Sequence, residues 1–250
     1  MPICEAEAII LRHYSLSDSD RIIVFITREY GKVRAAAQGV KKPRSRTSGT
    51  LEPLNHIRLE FWTREGRELG QVRQAELIHS YLGKEPELNR VSAFSYFAEI
   101  AGEIVQENQP NQPLFRLLLA SLRAGESRAV NESLIRYFEL WCLKLSGLLP
   151  DYAYCSTCGK CVKDDRFFAW IEAGQARCSG CAEGRGLQMS PAASSALETM
   201  MKLPPEQFMR RPLDRNAAGE IERLSQRLLN LHLEKQLKSY RILKEALQSQ

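Results

Sequence analysis

The sequence predicts a multi-domain α+β protein: a small β-barrel first, then an all-helical domain interrupted by a four-cysteine ribbon. Three observations predict it. Residues 1–82 alternate apolar and polar side chains in short bursts, the period of half-buried strands. From about residue 89 the apolar residues recur every three or four positions, the period of a helix face. After the third helical run stand two Cys-x-x-Cys pairs, Cys155-Ser-Thr-Cys158 and Cys178-Ser-Gly-Cys181, with 19 residues between them. A chain of 250 residues exceeds one small module, and 44% hydrophobic with 26% charged residues is the balance of a soluble protein that buries a real core. The expected division is 1–82 for the barrel and 83–250 for the helical domain, with the ribbon inserted at about 151–186.

Candidate strands occupy residues 6–13, 21–27, 32–37, 57–62 and 69–78. The serine- and aspartate-rich stretch 15–20 reads as a turn, and Glu29-Tyr-Gly31-Lys32 offers the glycine that a tight hairpin needs for positive φ. Five strands in so short a span suit a closed barrel. The long loop at 39–53, after the third strand, favours an oligonucleotide-binding (OB) fold, while an SH3-like barrel fits the strand pattern almost as well.

That loop region is basic. Lys32, Arg34, Lys41, Lys42, Arg44 and Arg46 fall between Glu29 and Glu52 with no acid among them, a local field that attracts phosphate. The competing reading is a solvated loop, since Pro43, Ser45, Thr47, Ser48 and Gly49 are loop formers. Placement on an OB barrel points to nucleic acid, with Tyr14, Tyr30, Phe61 and Trp62 available either for base stacking or for the core. The net charge of +5 is mild but uneven: residues 210–250 carry 9 Lys/Arg against 5 Asp/Glu, and residues 83–150 carry 7 against 8. The C-terminal set Lys235, Lys238 and Arg241 is a second candidate DNA contact.

Val91, Phe94, Phe97, Ala98, Ala101 and Val105 mark one helix, Pro113 opens a second, and Leu134, Phe138, Trp141 and Leu145 line a third. The three are expected to pack together. Ser190-Pro191 reads as an N-cap and first-turn proline for a helix at 192–202 that ends before Pro204-Pro205. A long amphipathic helix follows at 217–237, with Ile221, Leu224, Leu228, Leu231 and Leu237 inward, and then a basic tail.

Two Cys-x-x-Cys knuckles around a short hairpin supply four thiolates, the tetrahedral shell of a structural zinc site, with Cys155, Cys158, Cys178 and Cys181 as ligands. Residues 166–171 and 175–177 supply the hairpin, and Gly159 and Gly180 sit where the knuckles tighten. Disulfides are a poorer reading: the count of seven cysteines is odd, and no secretory leader or membrane-spanning run is read. A redox pair belongs at a helix start beside a strand rather than twice around a hairpin. Cys142, inside a helical run, reads as core. Cys161 overlaps the first pair and stays open as an alternative ligand.

The order of barrel, helices and ribbon resembles the bacterial recombination mediators of the RecO family over the whole length. The motifs that carry this resemblance are Glu7-Ala-Ile-Ile-Leu11, Ser19-Asp20-Arg21-Ile22, Tyr30-Gly31-Lys32, Ala37-Gln-Gly-Val-Lys41-Lys42, and Arg136-Tyr-Phe-Glu139 leading to Leu149-Pro150 and Cys155-x-x-Cys158-Gly159. Phe167 or Phe168 and Gly174 ahead of Cys178-x-x-Cys181 fit its second half. Ala173-Gly174 stands where the family often has Gly-Gly, and Cys161 is additional. The resemblance implies binding of single- and double-stranded DNA and annealing of complementary strands. It also implies loading of RecA onto DNA coated by single-strand DNA-binding protein, with RecR as partner. One structural zinc, no catalytic residues and a cytoplasmic, nucleoid-associated location belong to the same expectation.

Two other classes compete. A zinc hydrolase of the deaminase type would use His232-Leu-Glu234, but that His-x-Glu follows both cysteine pairs, the reverse of the deaminase order. A protein-only adaptor would leave the basic loop idle, and salt-dependent nucleic-acid affinity separates it from a DNA binder. No phosphate-cradling glycine loop and no Ser/His/Asp arrangement is read, so nucleotide hydrolysis is not expected.

Overall fold

Alternation in the first eighty residues closes into a barrel because one side chain in two has an apolar interior to enter. The computed structural model describes residues 3–42, 45, 47–63, 69–83 and 87–248. Strands β1 (Ile3–Ser15), β2 (Arg21–Thr27), β3 (Gly31–Ala37), β4 (Asn55–Trp62) and β5 (Gly70–Ser80) form a closed barrel in the order β1-β2-β3-β5-β4. β1 is long enough to pair with both β2 and β4, and its register breaks between Ile10 and Arg12, where the strand can bend. Ala6, Ala8 and Ile10 of β1, Ile23 and Phe25 of β2, Val33, Ala35 and Ala37 of β3, and Ile57, Leu59 and Phe61 of β4 make the core. Val40 and Leu51, from the long loop, join the same core.

Among the described residues the chain continues through helices α1 (Leu88–Ile104), α2 (Gln112–Ser127), α3 (Glu132–Leu145), α4 (Pro191–Met200), α5 (Pro205–Phe208), α6 (Arg215–Leu233) and α7 (Lys238–Gln248). Ribbon strands β6 (Phe167–Trp170), β7 (Gln175–Cys178) and β8 (Leu187–Met189) lie between α3 and α4, in the sheet order β7-β6-β8. Two compact units result, one of Met1–Glu126 with Leu237–Gln250 and one of Ser127–Gln236.

In the first unit, β3 and β5 run parallel and pair only at Ala35–Gly70 and Ala36–Gln71. The connection between α1 and α2 lies along the start of β3: Lys32 bridges Glu107, and the Asn108 N–H donates to the Lys32 carbonyl at 2.9 Å. Gly31 is required there on two counts. Its φ is +69°, and a Cβ would stand 1.9 Å from the Gln109 carbonyl oxygen. The residues expected as a basic tail instead form α7, which buries Leu243 and Ala246 and packs along α1.

In the second unit, α3 is buried on nearly every side and packs against α5 and α6. Of the first three helices, which the sequence groups together, α1 and α2 fall in one unit and α3 in the other. Arg136 and Glu139 form an ion pair at 2.9 Å inside this unit, and Glu139 also accepts from Ser225 Oγ at 2.6 Å and Gln226 Nε2 at 2.8 Å. Those partners satisfy a charge that would otherwise be costly to bury. Ser190 caps α4 by accepting the Ala193 N–H at 3.2 Å, with Pro191 in the first turn. α6 ends at Leu233 rather than 237, because Glu234 turns left-handed with φ 52°.

Candidate metal centre and nucleic-acid surface

The first cysteine pair is a tight knuckle in which Gly159, at φ +73°, donates its N–H to the Cys155 carbonyl at 2.9 Å. In the second, the N–H groups of Cys181 and Ala182 both donate to the Cys178 carbonyl at 3.0 Å. Gly180 has no positive φ; that role falls to Glu183 and Gly184. The knuckles meet because Cys155 bridges Ala176 and the Ser156 N–H donates to the Ala176 carbonyl at 2.8 Å, two residues before Cys178.

The four sulfurs of Cys155, Cys158, Cys178 and Cys181 lie within 4.8 Å of one another. A tetrahedron of ~2.3 Å metal–sulfur bonds has sulfur–sulfur edges of about 3.8 Å, and Cys158 Sγ stands 3.8 Å from Cys178 Sγ. The residues present therefore fit a tetrahedral metal ion. Cys161 is exposed, bridges Tyr154 and is not in the cluster. The backbone N–H of Cys178 holds the Cys155 thiol down at about 6, aided against burial by those of Cys158 and Thr157. Hydrogen bonds shared with Cys178 and Cys158 push Cys181 up to about 12. Sulfurs this close compete for protons, and a divalent cation removes the competition.

The basic residues of the barrel have different surroundings. Lys32 Nζ donates to the Gly102 carbonyl at 2.6 Å in the last turn of α1, and Arg34 stands 3.6 Å from Glu107 just after that helix, so both are engaged. Lys41 Nζ donates to Ser15 Oγ and to the Ser17 carbonyl at 2.6 Å. Lys42 is exposed. Arg44 and Arg46 lie outside the described residues. The start of the loop is pinned to the β1–β2 turn: the Lys41 N–H donates to the Ser19 carbonyl at 3.0 Å, and the Gly39 N–H donates to Asp20 at 2.8 Å, which lowers that carboxyl's pKa. Beside them Tyr14 is exposed, with the Arg12 guanidinium 5.5 Å from its ring centre. Of the stacking candidates, Phe61 is core and Tyr30 packs on it at 5.5 Å. Sequence periodicity missed the anchoring role of Ser15, Ser17 and Asp20, whose only signal was turn composition.

The C-terminal set is divided. Lys235 follows the end of α6, whereas Lys238 opens α7 and the exposed Arg241 lies 3.8 Å from Glu245. A cation at Lys238 has no support from the helix dipole, which favours anions at an N-terminus. His232 is exposed in the last turn of α6, and Glu234 is its cap rather than a helical residue. Neither belongs to the four-cysteine cluster. No described helix is long and apolar enough to cross a membrane.

Compared with known proteins, residues 1–81 match the family model for the recombination protein O N terminal, and residues 85–241 that for the recombination protein O C terminal. Similar proteins include the DNA repair protein RecO of Koribacter versatilis, 32% identical over 236 residues, covering 93% of this chain and 95% of the relative. The DNA repair protein RecO of Desulforamulus reducens is 31% identical over 244 residues, 96% of this chain and 93% of the relative. That of Pelotomaculum thermopropionicum is 32% identical over 247 residues, 97% and 94% respectively.

Proposed function

The chain belongs to the RecO family, and from that premise we propose that it is a non-catalytic DNA-repair mediator whose barrel holds DNA phosphates. The observation that supports this most is the Lys41–Lys42 corner, pinned to the β1–β2 turn beside exposed Tyr14. Cations fixed next to an exposed ring combine phosphate attraction with a surface for a base. Lys41, Lys42, Arg44 and Arg46 are the leading contacts, Lys32 and Arg34 supporting ones, and Lys235, Lys238 and Arg241 the second set.

The protein then binds single- and double-stranded DNA, anneals complementary strands and, with RecR, assists RecA loading onto DNA coated by single-strand DNA-binding protein, within the cytoplasm and nucleoid. Cys155, Cys158, Cys178 and Cys181 would hold one structural zinc. Four protein ligands leave it no open position for a substrate, so its contribution is to fold the ribbon.

Fluorescence-anisotropy titration with labelled single-stranded DNA across a salt series tests the reading. Log affinity should fall linearly with log salt, and complementary strands should anneal faster in its presence without nucleotide. Salt-insensitive or absent binding would return the protein to the class of protein-only adaptors.

A further inference from the structure

We propose that Arg215, Arg223 and Arg227 on α6, with Arg210 and Arg211 just ahead of the helix, form a second phosphate-binding surface, and that this surface takes duplex DNA. The proposal rests on the DNA-handling reading above and adds a site on the other compact unit. All five arginines are exposed, and none makes an ion pair among the described residues. Positions 215, 219, 223 and 227 fall on a single i+4 row of the helix. The Arg223 guanidinium lies back over Gly219, where a Cβ would stand 3.6 Å from Nη1, so the row has no side chain between its cations.

Nearby acids are occupied elsewhere. Asp214 accepts the N–H groups of Asn216 at 3.0 Å and Ala217 at 3.1 Å, and Glu220 accepts the Ser190 N–H at 2.7 Å. Helix stability does not explain the row. The first turn of α6 holds no acid, Arg215 opposes the dipole at that end, and Arg223 and Arg227 repel each other one turn apart. A polyanion relieves all three.

Composition selects the ligand. Four residues of helix rise about 6 Å, so Arg223 and Arg227 stand one step apart on the row and Arg215 two steps before Arg223, with Gly219 between. Single-strand surfaces rely on exposed aromatic rings for base stacking, and the large apolar side chain exposed on α6 is Leu231, not a ring. A rigid phosphate ladder with its bases already stacked is the better match.

The test uses the full chain with an Arg215/Arg223/Arg227→Ala triple variant, checked for folding by circular dichroism. A fluorescein-labelled duplex and the corresponding single strand are titrated across a salt series. The duplex slope should flatten by about 2.7, three contacts at ~0.9 each, while the single-strand slope stays near wild type. The matching Arg→Lys triple should keep the duplex slope, because counterion release counts charges. Wild-type duplex affinity and slope in the alanine variant would overturn this proposal alone. Equal losses on both probes would overturn the duplex assignment, as would loss of poly-glutamate binding with the duplex retained. A wild-type protein that binds neither probe would overturn the DNA-handling reading itself and this site with it.

Discussion

Cys178 contributes to the cluster twice, through its sulfur and through the backbone N–H that steadies the Cys155 thiolate. Serine at 178 keeps the N–H and loses the sulfur, so it isolates the metal bond. With structural zinc worth on the order of 10 kcal/mol to a module this small, Cys178→Ser should reduce bound zinc from one per chain to none. The ribbon should become protease-sensitive while the barrel stays folded. Cys161→Ser should keep its zinc; metal analysis of protein purified under reducing conditions checks both, and equal loss from Cys161→Ser would mean a different ligand set. A four-cysteine cluster was legible because a Cys-x-x-Cys knuckle is local geometry. The choice of Cys155 and Cys158 over Cys161 stayed open, since Cys158 and Cys161 have the same spacing as Cys155 and Cys158. The deciding contact, Cys155 with Ala176, comes from across the hairpin.

At the scale of elements, α7 shows what periodicity leaves out. Its lysines and arginines hide the apolar pair Leu243 and Ala246, and its N-terminus takes its cap from another helix. Glu99 of α1 accepts the N–H of Lys238 at 3.1 Å and of Ser239 at 2.8 Å, and the Ser239 hydroxyl as well. A cap that arrives from more than a hundred residues upstream has no signature in the local sequence. Glu99→Ala should therefore destabilise the barrel unit by about 1 kcal/mol, the usual cost of a lost N-cap, and Glu99→Gln by less. Urea unfolding checks this, and unchanged zinc content would show that the ribbon is unaffected. β3 and β4 were readable because they bury alternate residues, which the sequence pattern records directly, whereas β2 buries residues 23–27 in a row and β5 is largely exposed. β8, with three residues, is too short to carry a period, and the segment laid along β3 follows from the short β3–β5 junction rather than from any pattern of its own.

For the whole molecule, a net charge of +5 spread over 250 residues is too small to drive DNA binding as a general field. Affinity has to come from where the cations stand and whether a carboxylate already holds them. Lys32 and Arg34 are engaged by Gly102 and Glu107, whereas Lys41 reaches a hydroxyl and a carbonyl and Lys42 is exposed; Arg44 and Arg46 of the same basic run lie outside the described residues. In the C-terminal set, Arg241 already has Glu245 nearby. A Lys41/Lys42/Arg44/Arg46→Ala variant is therefore expected to flatten the single-strand salt slope by roughly three units, at about 0.7 for each lost phosphate contact. Sequence preference should hardly move, because phosphate contacts position the strand without reading bases. A Lys235/Lys238/Arg241→Ala variant should change the slope by one unit or less on the same scale. Anisotropy titrations of both variants beside wild type decide the order. A loop variant that stayed folded with wild-type affinity and slope would make the loop a solvated tether, and a steep loss in the C-terminal variant would move the single-strand contact to α7 and the residues before it.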